Sequence, residues 1–501
     1  MSERTRDQGS GSWDLEVDVV VLGMGAAGCA AAIEAHESGA SVVLLEKLSG
    51  GLEGGNTRVS GGAWFRTHDV EGAEAYLNSL SGGYPLPPAV VSTWARETAQ
   101  LTEWVESALG ATTALVGEAV NGKGRGIPSE FPGLEGSDSY GGMVAVDGQL
   151  GRARLLNALF AGLETRAIDV RLATPARRLV QDPESRAVTG VLAETPDGGT
   201  LRVRARGGVV LATGGFEGNV EMVRDYLRLP QNLPWGSPYN TGDGHKMAQK
   251  VGADLWHMDN MMSIEGFAVP GYQSGFYGRF FFSNGFIFVD SLGKRCDDEL
   301  PSIGHGHALR HGAYEHSPVR RVHAIFDEAT RLAGPVSPNG DVLAVGWNVL
   351  VEGYEWSADN SVEVDKGWLH KGETLDELAA SLEVDPEALH RTVARWNASC
   401  EAGEDEQFGR DPDTLVALGD GPYYAFTSAP MLAWTNGGPR RDEHCRVLDP
   451  FGDVIDGLYA AGSVSSTYSW ARDSGMHIAD ALAFGRVAGR TASASTQGAS
   501  S

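Results

Sequence analysis

Residues 17–46 carry one βαβ pattern, and it constrains the fold of this 501-residue chain more than any other stretch. The β-rich run Val17-Asp18-Val19-Val20-Val21-Leu22 suits a buried parallel strand. Gly23-Met24-Gly25-Ala26-Ala27-Gly28 follows directly, then an Ala-rich helix-forming segment from Cys29 to Ser38, a stop at Gly39, and a second strand from Ser41 to Leu45. Glycines at this spacing alone could be an ordinary turn. Between a strand and a helix they predict a dinucleotide site. Gly23 permits the tight turn, Gly25 lets the backbone approach a pyrophosphate, and Gly28 lets helix and strand pack closely. The helix start, with Ala26 and Ala27, offers free N–H groups and a positive dipole end to phosphates. Glu46 stands 18 residues beyond Gly28, the spacing of an acid that bonds ribose hydroxyls, with Lys47 beside it. A carboxylate there disfavours the 2′-phosphate of NADP.

Further glycine-rich turns lengthen the expected cofactor. Gly54-Gly55-Asn56-Thr57-Arg58-Val59-Ser60-Gly61-Gly62 reads as a second loop, able to run against a flat ring and a ribityl chain. Strand-like Gly208 to Leu211 ends in Ala212-Thr213-Gly214-Gly215, Asn240-Thr241-Gly242-Asp243-Gly244 opens another helix, and Gly457 to Ala461 enters a turn at Gly462-Ser463. One pyrophosphate does not need so many glycine-ended strands. A long cofactor stretched over a sheet does, so FAD is expected rather than NAD.

Composition excludes some classes. A formal net charge of -26 repels nucleic acid and anionic membrane. The four cysteines form no CxxC pair or haem-attachment motif, which speaks against disulfides, clusters and attached haem and fits a reducing cytoplasm. No apolar run is long enough for a membrane span, and Val17 to Ala32 reads as strand–turn–helix, not as a targeting segment. Residues 1–13 read as a disordered tail and the C-terminal SASTQGASS as a frayed end.

The order of these motifs, from about Val17 to Ala488, resembles the fumarate reductase/succinate dehydrogenase flavoprotein superfamily, which also holds 3-ketosteroid Δ1-dehydrogenases, urocanate reductase and tricarballylate dehydrogenase. The resemblance implies an α/β protein: a Rossmann-type FAD-binding domain (residues 14–262 and 424–495) interrupted by an α+β substrate-capping domain (263–423). The aromatic, glycine-rich stretch from Gly271 to Phe288 and two amphipathic helices within Thr374 to Cys400 agree with such an insert, and acidic Glu401 to Asp413 reads as a solvated loop. By the same resemblance, Gly55, Asn56, Thr57, Gly61 and Gly62 meet the isoalloxazine edge. Ala176 offers an amide to adenine, and Ala212, Thr213 and Gly214 form the adenosine-side turn. Asp243 is the acid of a TGDG motif, and Gly462 and Ser463 lie at the ribityl chain. Ile478 and Ala479 fall at a helix start that faces N1/O2 of the flavin. Covalent members use a histidine in the second loop; Asn56 stands near that place, which implies non-covalent FAD.

The substrate side departs from the reductases. Their proton-delivering arginine falls here at Ser302 or Ile303, and their carboxylate-binding histidine at Trp434. Arg472 survives as the residue aligned with a carboxylate-gripping arginine. The ketosteroid enzymes carry a tyrosine near Ala471; Tyr468 lies three residues earlier. Arg472 is the expected electrophile or anchor. His305 and His307, just after the Gly293-Lys294-Arg295 landmark, are candidates for proton transfer, Tyr468 is a substitute hydroxyl, and Glu265 is a further candidate. His307 and His311 have i,i+4 spacing without an HExxH motif, so no metal is expected. Trp434, Trp470, Phe280, Phe281 and Phe282 are read as core packing or as pocket lining. The expectation is hydride exchange between flavin N5 and a carbon next to a carbonyl or carboxylate, in either direction, with a small-molecule substrate and an external electron donor or acceptor. Oxygen-dependent hydroxylation, a non-catalytic flavin carrier and an NAD-dependent dehydrogenase are the alternatives.

Overall fold

The computed structural model describes residues 12–117, 128–231, 233–299, 305–310, 313–317, 320–337, 340 and 343–498. The tail expected over residues 1–13 lies almost wholly outside these. So do Leu300 to Gly304, with the Ser302 and Ile303 comparison, and His311.

The βαβ expectation holds. Strand β1 (Leu15–Leu22) leads into helix α1 (Ala26–Glu37) and strand β2 (Val42–Leu45). β2 and the second half of β1, Val19 to Leu22, are buried throughout, as β-branched residues inside a two-sided parallel sheet require. Further along come α2 (Gly55–Val59), β3 (Asp169–Arg171), β4 (Ala176–Gln181), β5 (Val188–Glu194), β6 (Thr200–Leu211), α3 (Asp243–Lys250), β7 (Arg446–Leu448), β8 (Val454–Ala460) and α4 (Met476–Gly498). The eight strands make one sheet in the order β7-β8-β6-β1-β2-β3, with β4 and β5 a hairpin on β6. β8, β6, β1, β2 and β3 run parallel. In register, Leu22 faces Leu211, and Leu211 faces Ala460. The turns at Gly23, Ala212–Gly214 and Gly462 therefore leave one common edge, the carboxyl edge where open α/β sheets bind ligands.

Two glycines of α4 bring it hard against α1. A Cβ on Gly485 would stand 2.4 Å from the Ala27 carbonyl oxygen, and one on Gly489 2.2 Å from that of Ala31. Both contacts advance together along the two helices, so α1 and α4 run parallel. The start of α4 precedes its contact by nine residues and that of α1 by one. At 1.5 Å per residue the N-terminus of α4 overhangs that of α1 by roughly 12 Å. The C-terminal stretch expected to fray continues α4 to Gly498.

The chain divides into two compact units. One comprises residues 1–228, 239–261 and 434–501; the other comprises 229–238 and 262–433. The second has its own antiparallel pairings, Phe286–Val289 with Val322–Asp327 and the latter with Tyr423–Thr435, over an aromatic core that includes Phe267, Phe276, Phe326 and Phe426. The two expected amphipathic helices are Leu375–Leu382 and Pro386–Ala402, capped by the side chains of Thr374 and Asp385. The stretch Glu401 to Asp413, expected to be a solvated loop, is mostly exposed, with two exceptions. Asp405 and Arg410 are buried, Asp405 bonded to Arg295 at 3.0 Å and Arg410 paired with Glu299 at 3.2 Å. Among the described residues no helix is long and apolar enough to cross a membrane.

Candidate active site

The phosphate turn is built as its spacing requires. Gly23 has φ of +100°, and a Cβ there would lie 2.4 Å from the Ala212 carbonyl oxygen; a Cβ on Gly28 would lie 1.9 Å from the Gly23 oxygen. Packing alone therefore dictates these two glycines. Gly25 differs. A Cβ there would meet only Thr57 Oγ1 at 3.5 Å and the Gly54 oxygen at 3.6 Å, ordinary contacts. Gly25 caps α1 in extended geometry with no side-chain bond. The protein itself does not need glycine at that place; a phosphate closing on the helix start does. The Ala26 amide is already satisfied, donating to Thr57 Oγ1 at 2.9 Å. That leaves the amides of Ala27 and Gly28 for a ligand.

Glu46 is buried and accepts from the Met24 and Leu48 amides, each at 2.9 Å. Burial raises its pKa, and the two amides partly counter this. Lys47 reaches across to the TGDG turn, 2.7 Å from Asp243 Oδ2 and 3.1 Å from Thr241 Oγ1. Burial opposes ionisation of Asp243, but Lys47 and Thr241 outweigh it and hold the carboxyl below its ordinary range. Lys47 and Asp243 thus brace each other. The Thr213 hydroxyl oxygen, on the expected adenosine-side turn, is shut off from solvent and has no partner among the described residues. Such an orphan fits a ligand atom. Ala176 opens β4, opposite Ala193.

The second glycine segment, expected as a loop, contains a short helix instead. Gly54 takes φ of +102° and caps the short helix α2, which carries Gly55, Asn56 and Thr57. Asn56 Nδ2 donates at 2.7 Å to Glu217 Oε1, which also accepts from Asn240 at 2.7 Å, while Thr435 Oγ1 donates to Oε2 at 3.3 Å. Glu217 is fully buried, and burial pushes its pKa up. Sequence reasoning passed over Glu217; its one signal is a carboxylate in Gly215-Phe216-Glu217-Gly218-Asn219, right after a glycine-ended strand. Gly61 accepts from Gly151, and Gly62 has φ of +67°.

The expected ribityl and flavin-edge residues meet at the start of α4. Gly462 and Ser463 leave β8, and Ile478 and Ala479 lie in the first turn of α4. Ser463 Oγ lies 2.8 Å from His477 Nε2. By that register this turn lies roughly 12 Å further along the shared helix direction than the start of α1. Together with the orphan at Thr213 and the space at Gly25, these residues fit an extended flavin dinucleotide.

Arg472 lies next to this turn and is 2 % exposed. Its Nη1 donates to the Asp473 carbonyl at 3.2 Å, while Nη2 has no partner among the described residues. The guanidinium sits 4.1 Å from the ring centre of Trp434. Burial lowers its pKa to about 10, with Glu130, Tyr468 and Asp473 opposing the drop from a distance. The neighbourhood is fixed from several sides. Asn260 donates to the carbonyls of Tyr468 at 2.8 Å and Trp470 at 2.9 Å. Asp473 accepts from the Tyr76 hydroxyl at 2.6 Å, and Ser474 donates to Glu130.

Tyr468 does not fit its expected catalytic role. Its hydroxyl donates to the Met476 carbonyl, accepts from Trp94 Nε1 at 3.2 Å, and has its pKa driven well up by burial. His305 and His307 belong to the other unit. His305 has φ of +47°, and His307 starts a short hairpin, Ala313–His316 being its other strand, with its ring 5.2 Å from that of His316. Glu265 lies in that unit as well, in the strand Met261–Phe267. Phe281 and Phe282 are exposed there, whereas Phe280 is packed in the aromatic core.

Residues 18–481 match the family described as FAD binding domain. The chain is 32 % identical to urocanate reductase of Eggerthella lenta, over 96 % of this chain and 75 % of that one. It is 29 % identical to fumarate reductase (cytochrome) of Shewanella frigidimarina, over 95 % and 77 %. A solved 3-ketosteroid Δ1-dehydrogenase from Sterolibacterium denitrificans, bound to 1,4-androstadiene-3,17-dione, superposes with a TM-score of 0.78 at 23 % identity, over 96 % of this chain and all of that one, and so shares the fold.

Proposed function

The chain belongs to the FAD-binding family whose pattern it matches and is an FAD-dependent oxidoreductase acting on carbon–carbon bonds, and from that premise we propose that its substrate is a small molecule whose reacting bond is activated by a carboxylate or carbonyl held on Arg472. When bound, FAD supplies the hydride acceptor or donor at N5. Gly23, Gly25, Ala27 and Gly28 seat its pyrophosphate, Glu46 its ribose, Thr213 the adenosine side, and Ser463, Ile478 and Ala479 the ribityl and ring edge. The cofactor is held without a covalent bond. Residues 263–423 serve as the substrate domain, and His305 or His307 carries the proton at the neighbouring carbon. Electrons pass to or from an external partner, and the protein works in the cytoplasm.

One observation carries this reading. Arg472 is a cation deep in the interior, with one nitrogen unbonded and no ion pair among the described residues. A buried charge deprived of its partner costs about 3–5 kcal/mol. An incoming oxygen anion, or a carbonyl gaining negative charge, is the partner this position lacks.

The test is an anaerobic panel of keto-steroids, cyclic enones and unsaturated or saturated carboxylates, screened for bleaching or reoxidation of the bound flavin. Arg472→Ala is expected to cost at least about a hundredfold in kcat/KM on the compound so found, the size seen when a charge-stabilising donor is lost. An unchanged kcat/KM removes Arg472 from the site.

A further inference from the structure

Four side chains from three separated stretches form a continuous line in the FAD-binding unit. Ser463, on the turn after β8, is 2.8 Å from His477. The His477 ring stacks on Trp434 with centres 4.6 Å apart and planes 21° apart. Trp434 then carries the Arg472 guanidinium at 4.1 Å. Ser463 and His477 mark the flavin edge, and Arg472 marks the anion. Trp434, at the end of the strand Tyr423–Thr435, is the piece that touches both. Arg472 needs such a wall. Among the described residues its one hydrogen bond runs to the adjacent residue, so the indole face, and not a network of acceptors, fixes where the rest of the guanidinium lies. A desolvated cation–π contact of this kind contributes about 2 kcal/mol.

Resting on the reading of Arg472 as the anchor, we propose that Trp434 is a positioning residue that seats Arg472 and His477 together, so that the grip on the substrate's anionic end and the electrostatic setting of the flavin are coupled through one indole. Two consequences separate this from plain packing. Loss of the aromatic face disturbs the anion and the flavin at once, and a smaller aromatic ring restores both.

The holoenzyme and its Trp434→Leu and Trp434→Phe variants are compared by two measurements. One is titration with cinnamate, a planar unsaturated carboxylate, followed in the visible band of the oxidised flavin. The other is the midpoint potential of the flavin against reference dyes. Trp434→Leu is expected to weaken cinnamate by about tenfold or more and to shift the potential. Trp434→Phe should return both to near wild type. If Trp434→Leu leaves either quantity at the wild-type value, or Trp434→Phe is as poor as Trp434→Leu, the coupling does not exist. His477→Ala keeps both the indole and Arg472 and covers the case in which Trp434→Leu does not fold. It should shift the potential and weaken cinnamate by about threefold, and unchanged affinity refutes the proposal. Arg472→Ala separates the two claims. Cinnamate binding that survives it, or wild-type protein that takes up no cinnamate, sinks the anchor reading, and the potential alone then decides the role of Trp434. Binding lost in Arg472→Ala but kept in Trp434→Leu sinks only the coupling.

Discussion

Gly23, Gly25 and Gly28 carry the same side chain for two different reasons. Gly23 and Gly28 are fixed by neighbouring backbone at 2.4 and 1.9 Å from a notional Cβ, so the fold demands them. Gly25 has φ of −79° and ψ of −174°, open to any residue, and a Cβ there would make only ordinary contacts. Gly25→Ala is therefore expected to leave the apoprotein's stability within about 1 kcal/mol of wild type, yet to lower FAD affinity by at least about tenfold. Gly28→Ala should destabilise the apoprotein by more than about 3 kcal/mol. Urea unfolding of the apoproteins and FAD titration by flavin fluorescence check both, and equal FAD affinity in Gly25→Ala would remove the phosphate from this turn. The glycines were legible because their signal is local: strand, turn and helix stand side by side in the chain. Glu217, Asn260 and the line from Ser463 to Arg472 were not. Each joins residues far apart in sequence, and a buried Glu or Asn has no periodic signature. Tyr468 misled in part for the same reason, because its partner Trp94 is distant in the chain.

Elements were legible in proportion to how much of their pattern was hydrophobic. β1 and β2 follow from their β-rich runs, α1 from its Ala-rich composition, and the helices Leu375–Leu382 and Pro386–Ala402 from periodicity and caps. The stretch Glu401 to Asp413 shows the limit. Its charges signal solvent, and most of it is exposed, but Asp405 pairs with Arg295 and Arg410 with Glu299 in the interior, and composition cannot reveal a partner a hundred residues away. Helix α3 shows how one titrating side chain can hold an element. His245 is fully buried on α3 and lies 2.6 Å from the Gly437 carbonyl, a bond in which neutral Nε2–H donates. Burial lowers its pKa to about 4, although the Gly437 carbonyl pulls the other way. A histidine whose pKa falls on folding takes up its proton more readily in the unfolded chain. Its contribution is complete above about pH 6.5 and is lost as the pH falls through about 4. Stability of the wild type should fall across that window. His245→Gln, which keeps a donor but cannot titrate, should lose less, by up to about 3 kcal/mol. Melting temperature against pH for both proteins checks this, and parallel curves would show that His245 does not pin α3 through its neutral ring.

At the scale of the whole molecule, the chain builds one unit from three separated segments and a second largely from the stretch between two of them. Each has its own buried cluster, the first around Val19, Val21, Ala30 and Phe484, the second around Phe267, Phe326 and Phe426. Every residue assigned to FAD lies in the first unit. A ligand stabilises only the structure that binds it, by about 4 kcal/mol when its free concentration is a thousandfold above Kd. Calorimetry of the apoprotein is therefore expected to show two transitions. Saturating FAD should raise one of them by several degrees and leave the other in place. Phe426→Ala, a large truncation in the second core, should cost about 3–5 kcal/mol and move the FAD-insensitive transition alone. If FAD and Phe426→Ala shift the same single transition, the two cores melt as one cooperative body, and the cofactor unit cannot be credited with a stability of its own.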